Sequence, residues 1–261
     1  MNLSRMPKKS SLGLVAILIA GGCTSGTNEE PPVSILMIGN SYSFANDLPG
    51  VVSELAAGEG RALSTTLVAE GGWSLGDHVN SSGTMNLIES ESWDYVVLQE
   101  QSVIPSLAEY REDFMFPAAR VLDQVISEAG AETLLYMTWG RENGMADVGF
   151  GTYTAMQDQV TIGYRTLGEE LGAQVLPVGV SWQRAIGREP QLDLWAPDGS
   201  HPTVAGTYLT ACVVYAAIFE ESPVGASYRA GLSRSDARTL QEVAAEVVLD
   251  SWSFWDFSTD P

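Results

Sequence analysis

The sequence is poor in the residues that most often hold metal ions or form disulfides. Its 261 residues include only two cysteines, Cys23 and Cys212, and only two histidines, His78 and His201. At these spacings the four side chains predict no metal cluster, and no metal or organic cofactor is expected. Chemistry that needs an imidazole near neutral pH must therefore use one of only two histidines.

Basic residues are also scarce. The chain has 13 Lys and Arg against 33 Asp and Glu, which gives a formal net charge of -20 at pH 7. The carboxylates are dispersed along the chain and therefore indicate an acidic surface. Such a surface argues against nucleic-acid binding. Hydrophobic residues make up 45% and charged residues 18% of the chain, as expected of a globular protein. The length suits one α/β domain.

The N-terminus lacks an apolar run long enough to span a bilayer comfortably, since residues 12–20 are apolar but residues 21–32 are small or polar. A secretory signal typically has a basic start, a short apolar stretch and small residues before its cleavage site. The cysteine directly after the small residues resembles a bacterial lipoprotein signal, which implies cleavage before Cys23 and lipidation of its thiol. Plain secretion with cleavage nearby is the alternative.

This pattern predicts three parts: a signal peptide at residues 1–22, a polar tether at residues 23–32 and a single domain at residues 33–261. The protein is then expected in the bacterial cell envelope and in contact with a membrane only through the lipid on Cys23. Cys212 lies in an apolar helical stretch and is expected to be a buried small hydrophobe.

The predicted domain contains no internal repeat. Short apolar runs alternate along it with longer helical stretches. The short runs are near-continuous, which is typical of parallel strands covered on both faces. The alternation predicts a doubly wound parallel sheet with helices on both sides. The predicted strands are Ile35–Gly39, Ser64–Ala69, Tyr95–Gln99, Thr133–Trp139 and Gln174–Val180. The predicted helices are Pro49–Glu59, Thr84–Glu89, Ser106–Ala129, Tyr153–Leu171, Trp182–Gly187, Thr203–Phe219 and Ser235–Trp252.

Ligands of such sheets bind beyond the carboxyl ends of the strands, so the residues after each strand are the candidates. Ser41 follows the first strand in a turn that Gly39 allows to be tight. Backbone N–H groups of this turn can face a developing oxyanion. Ser41 could instead merely cap the next helix.

His201 is the stronger histidine candidate because Asp198 precedes it by three residues, in a turn bounded by Pro197 and Pro202. This spacing can place the carboxylate against one imidazole nitrogen and leave the other free to act as a general base. An incidental aspartate beside a surface histidine is the alternative.

The loops after the second and third strands offer hydrogen-bond donors. Gly71-Gly72 could expose a backbone N–H to the site, or could form a plain turn. Gln99-Glu100-Gln101 ends a buried strand, where polar side chains need partners. A glutamine amide there can donate to an oxyanion, or the side chains can bond between loops.

Three further residues are candidates for substrate binding. Trp139 and Arg141 follow the fourth strand and could stack on a sugar or pair with a carboxylate. His78 follows the Gly-Gly turn and could reach the rim of the site. The alternatives are packing of the rim residues against a neighbouring loop and a structural or surface role for His78.

These elements together resemble the SGNH (GDSL-type) hydrolases: a Gly-Asn-Ser turn at 39–41, a Gly-Gly turn at 71–72 and an Asp-x-x-His motif at 198–201. The resemblance spans about residues 34–220 and implies a flavodoxin-like sheet and a triad of Ser41, His201 and Asp198. More narrowly, segments 37–43, 93–102, 136–140 and 198–202 look like a bacterial branch with poorly defined substrates.

The family's Gly-x-Asn-Asp motif is absent after the third strand, and Asn40 stands where better-known members have Asp. The resemblance implies an oxyanion hole made by the backbone N–H groups of Ser41 and Gly72. A glutamine is expected to replace the missing asparagine, with Gln101 preferred over Gln99.

The function expected from the sequence is that of a serine esterase, with removal of acetyl groups from carbohydrate as the first choice. The expected envelope location and the aromatic-rich loops favour a sugar ester, and no long apolar lid is visible. The alternatives are a surface-anchored glycan-binding module without turnover, a lysophospholipase and a short-chain lipase. The sequence does not indicate an oligomeric state.

Overall fold

The computed structural model describes residues 31–258. The predicted signal peptide, Cys23 and nearly all of the predicted tether lie outside the described residues, so cleavage and lipidation remain predictions. No helix in the described range combines the length and the apolar character needed to cross a membrane.

Five parallel strands form one sheet in the order β2-β1-β3-β4-β5. The predicted flavodoxin-like sheet is thereby confirmed, and the strand order reverses beside β1. The strands are β1 (Val33–Gly39), β2 (Leu63–Ala69), β3 (Tyr95–Leu98), β4 (Glu132–Tyr136) and β5 (Gln174–Leu176).

Helices cover both faces of the sheet. Their bounds are α1 (Ser41–Phe44), α2 (Leu48–Gly58), α3 (Leu75–Val79), α4 (Ser82–Ser90), α5 (Ala108–Tyr110), α6 (Phe116–Glu128), α7 (Tyr153–Leu171), α8 (Val178–Arg188), α9 (Val204–Phe219), α10 (Arg234–Val248) and α11 (Trp252–Trp255). Short 3-10 turns lie at Ala45–Asp47, Ile104–Ser106 and Ala146–Val148, and a π-helical segment joins α5 to α6 at Arg111–Met115.

Alternating side chains along the strands supply two cores. On β1, Ile35 and Met37 belong to the core shared with α2, α8, α9 and α10. Leu36 and Ile38 point to the opposite face and pack with α6 and α7. Successive residues of a strand point to opposite faces, so a run that is apolar throughout serves two layers at once. This is the three-layer arrangement that the continuous apolar runs predict.

Most of the predicted elements have different bounds in the structure, by one to several residues. The predicted helix Ser106–Ala129 is broken into a 3-10 turn, a single turn of α5, the π segment and α6. Pro117 stands in the first turn of α6, where a missing N–H is tolerated. The predicted strand to Val180 ends at Leu176, and the chain passes directly into α8 after Pro177.

The early start of α8 brings Gly179 against the end of β4. A Cβ atom at Gly179 would lie 2.1 Å from the carbonyl oxygen of Thr138 and 2.4 Å from Gln157 Nε2. Only glycine fits here, because the nearest atom belongs to the backbone and cannot rotate away.

We therefore expect Gly179→Ala to lower the free energy of unfolding by about 1–3 kcal/mol, the usual result of overpacking a core. The matched control is Gly187→Ala in the same helix, where a Cβ would meet nothing within 4 Å. That control should be neutral or stabilising by about 0.5–1 kcal/mol, since alanine favours helix more than glycine does. Urea denaturation of both variants measures the difference, and equal effects would contradict this account of α8.

Candidate active site

The turn after β1 presents Ser41 at the first position of α1. The helix is capped by Asn40, not by Ser41: Asn40 Oδ1 accepts a hydrogen bond from the Tyr42 backbone N–H at 3.1 Å. The alternative in which Ser41 merely caps this helix is therefore wrong. Its hydroxyl is left free to face the loop before α9.

Ser41, His201 and Asp198 form a continuous chain of hydrogen bonds. Ser41 Oγ lies 2.9 Å from His201 Nε2, and His201 Nδ1 lies 2.5 Å from Asp198 Oδ2. The other carboxylate oxygen of Asp198 accepts the backbone N–H groups of Ser200 and His201, each at 2.9 Å. The arrangement is that of a nucleophile, a base and a group that orients the base.

Asp198 lies at the surface and is ionised at neutral pH. Its pKa is lowered to about 2, chiefly by the hydrogen bond from His201, with further lowering by the backbone N–H groups of His201 and Ser200. A carboxylate that accepts several hydrogen bonds is stabilised in its charged form. Asp198 can therefore hold the imidazole in one orientation across the neutral pH range.

The loop that carries His201 is fixed by buried side chains. Ser200 is held from two sides: its Oγ lies 2.6 Å from Tyr42 Oη, and its carbonyl oxygen accepts the indole N–H of Trp139 at 2.9 Å. Asn46 Nδ2 donates to the carbonyl oxygen of Pro202 at 2.9 Å. Tyr42 and Asn46, which follow the nucleophile closely in the sequence, thus contact the loop that carries the base.

A cavity of about 370 Å³ opens at the triad. Its wall includes Ser41, Gly72 and Gln101, the three residues expected to donate to an oxyanion. Gln101 Oε1 accepts the backbone N–H groups of Val103 at 2.7 Å and Ile104 at 3.3 Å, which orients the amide. Its Nε2 has no partner within residues 31–258 and remains available as a donor.

Gln99 does not belong to the oxyanion hole, so its placement there as the second choice is wrong. It is fully buried, and its Nε2 already donates to Asn40 Oδ1 at 3.0 Å and to the Glu100 carbonyl oxygen at 2.6 Å. Its Oε1 accepts the Asn40 backbone N–H and the Ser43 hydroxyl. No hydrogen is left for a ligand, and Gln99 instead fixes the nucleophile turn.

Trp139 is also not a substrate-binding residue. Its side chain is fully buried and lies between two parallel rings, Tyr42 at 4.6 Å and Trp182 at 3.9 Å between centroids. The packing alternative is correct, because the tryptophan after β4 points into the core that holds Ser200.

His78 is likewise buried, and its expected place at the rim is wrong. Its Nε2 lies 2.8 Å from the Gly39 carbonyl oxygen and its Nδ1 lies 3.0 Å from Thr84 Oγ1. Burial lowers the pKa of this imidazole. A neutral ring that donates from Nε2 satisfies the last carbonyl group of β1, so His78 supports the nucleophile turn from below.

Arg141 does line the cavity. One of its Nη2 hydrogens goes to Ser102 Oγ at 2.9 Å, while its buried Nε has no partner within residues 31–258. Its Nη1 hydrogens have no partner in that part of the chain either and are not buried, so the guanidinium can still donate to an oxygen-rich ligand. Within the same range no group of three or more His, Cys, Asp or Glu side chains is placed to hold a metal ion.

Sequence reasoning gave no role to Glu100, which lies beside the site and is fully buried. Burial raises the pKa of this carboxyl to about 7, although two backbone N–H groups oppose the shift. The native state therefore keeps the Glu100 proton up to about pH 7, whereas the unfolded chain loses it above the ordinary pKa of 4.5. The free energy of unfolding consequently falls as the pH rises from about 4.5 to 7. The sequence feature that could have pointed to Glu100 is a carboxylate directly after a buried strand.

Comparisons with known proteins bear on the fold and the superfamily. No family model and no curated protein matches the sequence. Among solved structures, a protein of Slackia heliotrinireducens described as a candidate SGNH hydrolase is 27% identical, with a TM-score of 0.61, over 70% of this chain and 97% of that one. A DUF4886 family protein from Bacteroides uniformis is 19% identical, with a TM-score of 0.68, over 84% and 95%.

An acetyl xylan esterase shares the fold at 13% identity and a TM-score of 0.55, over 71% of this chain and all of that one. The resemblance to the SGNH hydrolase superfamily is confirmed by the Slackia heliotrinireducens structure, which also supports a hydrolase. The narrower resemblance to a bacterial branch with poorly defined substrates stays a prediction.

Gln101 offers a test of the oxyanion hole. We expect Gln101→Glu to lower the turnover of an ester substrate at least about a hundredfold, since the loss of one oxyanion donor costs about 2.7–4 kcal/mol. The substitution keeps the acceptor oxygen for Val103 and Ile104, so the thermal unfolding temperature should not change. Gln99→Ala serves as the contrast and should lower that temperature as well as turnover, because Gln99 fixes the turn that carries Ser41. Unchanged turnover in Gln101→Glu would remove Gln101 from the site.

Proposed function

We propose that the protein is a serine esterase that cleaves carboxylic esters through an acyl-enzyme on Ser41. The observation that carries the proposal is the hydrogen-bonded chain from Ser41 Oγ through His201 to Asp198. It joins residues 160 positions apart, with the donors expected for an oxyanion on the wall of the same cavity.

In the first half of the reaction, His201 Nε2 takes the proton of Ser41 Oγ as this oxygen attacks the ester carbonyl carbon. The negative charge that develops on the carbonyl oxygen is stabilised by the N–H groups of Ser41 and Gly72 and by Gln101 Nε2. His201 then gives the proton to the departing alcohol. In the second half, water attacks the acyl group by the same route and restores Ser41.

The acyl group is proposed to be acetyl and the alcohol a carbohydrate. The cavity at the triad has a modest volume of about 370 Å³, near the lower end for small-molecule sites. Polar side chains on its wall, Arg141 and Gln101, suit a hydroxyl-rich ligand. One structural neighbour is an acetyl xylan esterase, which is a likeness of fold only.

A longer acyl chain is the second candidate, as in a lysophospholipase or a short-chain lipase. A separate apolar groove of about 520 Å³ is lined by residues that include Val79, Ile104, Tyr110, Phe114 and Val121. The loop after Gly72 and the loop after Gln101 each continue into a wall of this groove. An acyl chain could therefore extend from the triad along it.

Labelling of the nucleophile tests the catalytic proposal without a choice of substrate. A fluorophosphonate applied to residues 31–261 is expected to modify Ser41, and His201→Ala and Asp198→Asn should each slow the modification at least about a hundredfold. Asp193→Asn is the matched control: Asp193 lies exposed in the same loop, and its side chain contacts neither triad partner.

Peptide mass spectrometry locates the adduct. A folded protein without an adduct on Ser41 would favour the remaining alternative, a glycan-binding module without turnover, and binding to glycan should then survive Ser41→Ala.

Acyl-chain length separates the two ester candidates. We expect kcat/KM for 4-nitrophenyl acetate to exceed that for the octanoate at least about tenfold, because the polar cavity at the triad accommodates a short acyl group. Phe114→Ser, which changes an exposed side chain of the apolar groove, should leave both values unchanged. A preference for octanoate that Phe114→Ser abolishes would select the lipase candidate.

The lipid anchor on Cys23 and the location in the cell envelope remain part of the proposal and rest on the N-terminal sequence alone. The mass of the N-terminal peptide of the protein purified from cells is the direct measurement.

A further inference from the structure

The carboxyl group of Glu100 connects the two loops that carry the expected oxyanion donors. Its Oε1 accepts the backbone N–H of Gln101 at 2.5 Å and the backbone N–H of Leu75 at 3.1 Å. Gln101 supplies the side-chain donor itself. Leu75 is the first residue of α3 and lies three residues after Gly72. One carboxyl oxygen therefore contacts one residue in each of the two loops that supply the expected oxyanion donors.

The link from Leu75 back to Gly72 is short and stiff. Ser74 and Asp77 form a reciprocal cap at the start of α3: the Ser74 backbone N–H donates to Asp77 Oδ2 at 2.8 Å, and Ser74 Oγ accepts from the Asp77 backbone N–H at 3.3 Å. Asn40 Nδ2 holds the Trp73 carbonyl oxygen at 2.8 Å. Movement of the Leu75 N–H would therefore be transmitted to Gly72.

Stability alone gives no reason for a carboxyl group at this position. Glu100 Oε2 is buried and has no partner within residues 31–258. Burial and the charge of Asp77 raise the pKa of the carboxyl, and Tyr164 is the other titratable side chain beside it, with its hydroxyl accepting the Glu100 backbone N–H at 3.3 Å. A buried group with an unsatisfied atom is costly to keep, so it calls for another explanation.

We propose that Glu100 is a positioning residue that sets the distance between the Gly72 N–H and the Gln101 amide by holding both loops on one oxygen atom. This inference rests on the proposed esterase function. Glu100 does not line the cavity at the triad, so it acts through the two donors and not on the substrate.

Two substitutions separate the acceptor oxygen from the rest of the side chain. Glu100→Gln keeps an oxygen for both N–H groups, and Glu100→Leu fills a similar volume without one. We expect kcat of Glu100→Leu to fall at least about tenfold with KM within about twofold, because the oxyanion exists only in the transition state. Glu100→Gln should stay within about threefold of the wild-type kcat.

Ser181→Ala is the matched control. It removes a buried hydrogen bond, from Ser181 Oγ to the Pro177 carbonyl oxygen at 3.0 Å, in α8 and outside both loops. Its kcat should equal that of the wild type. Equal losses in Glu100→Leu and Glu100→Gln, or an unchanged kcat in Glu100→Leu, would overturn the proposal.

Amide hydrogen exchange provides a readout that does not need catalysis. In Glu100→Leu the amides of Leu75 and Gln101 should both exchange at least about tenfold faster than in the wild type, and in Glu100→Gln both should stay protected. Faster exchange at only one of them would show that Glu100 does not couple the loops. If no variant, including the wild type, hydrolyses an ester while both amides respond together, the coupling stands and the proposed function fails.

Discussion

The amide of Gln99 is the interaction on which the rest of the site depends. Three of its four hydrogen bonds join the end of β3 to the segment after β1, two of them to the backbone and side chain of Asn40, and the fourth goes to the Glu100 carbonyl oxygen. Asn40 in turn caps α1 and reaches the loop after β2. The position of Ser41 is therefore set by a network of amide hydrogen bonds that is buried away from water. Such a network rigidifies a site only when all of its members have partners, as those of Gln99 do.

The aromatic stack provides the second support. Tyr42 follows the nucleophile, and its ring packs on Trp139, which packs on Trp182. The polar ends of Tyr42 and Trp139 both reach Ser200, the residue before His201. The alignment of the nucleophile with its base thus depends on buried rings, whereas the Asp198–His201 pair itself stays largely at the surface.

The sheet and the Asp198–His201 pair could be expected from local patterns in the sequence, whereas the joining of this pair to Ser41 and the preference for Gln101 followed from the family resemblance. Continuous apolar runs specify buried parallel strands, and the spacing of Asp198 and His201 suits a short turn. Gln99, Trp139 and His78 could not be placed correctly, since burial at a strand end is decided by which loops fold over it. Gln99 and Gln101 differ by two positions in the sequence and have opposite surroundings. The extent of β5 was overestimated because apolar Val178 suits a strand or a buried helix equally well.

The separation of Ser41 from His201 by 160 residues also has a consequence for the order of events during synthesis. The nucleophile turn leaves the ribosome early, but its base arrives only after all five strands have been made. Long-range contacts of this kind form late, when the sheet is nearly complete. A partly made or partly folded chain therefore exposes a serine without a base, which is chemically inert. Reactivity at Ser41 then indicates that the whole sheet has formed.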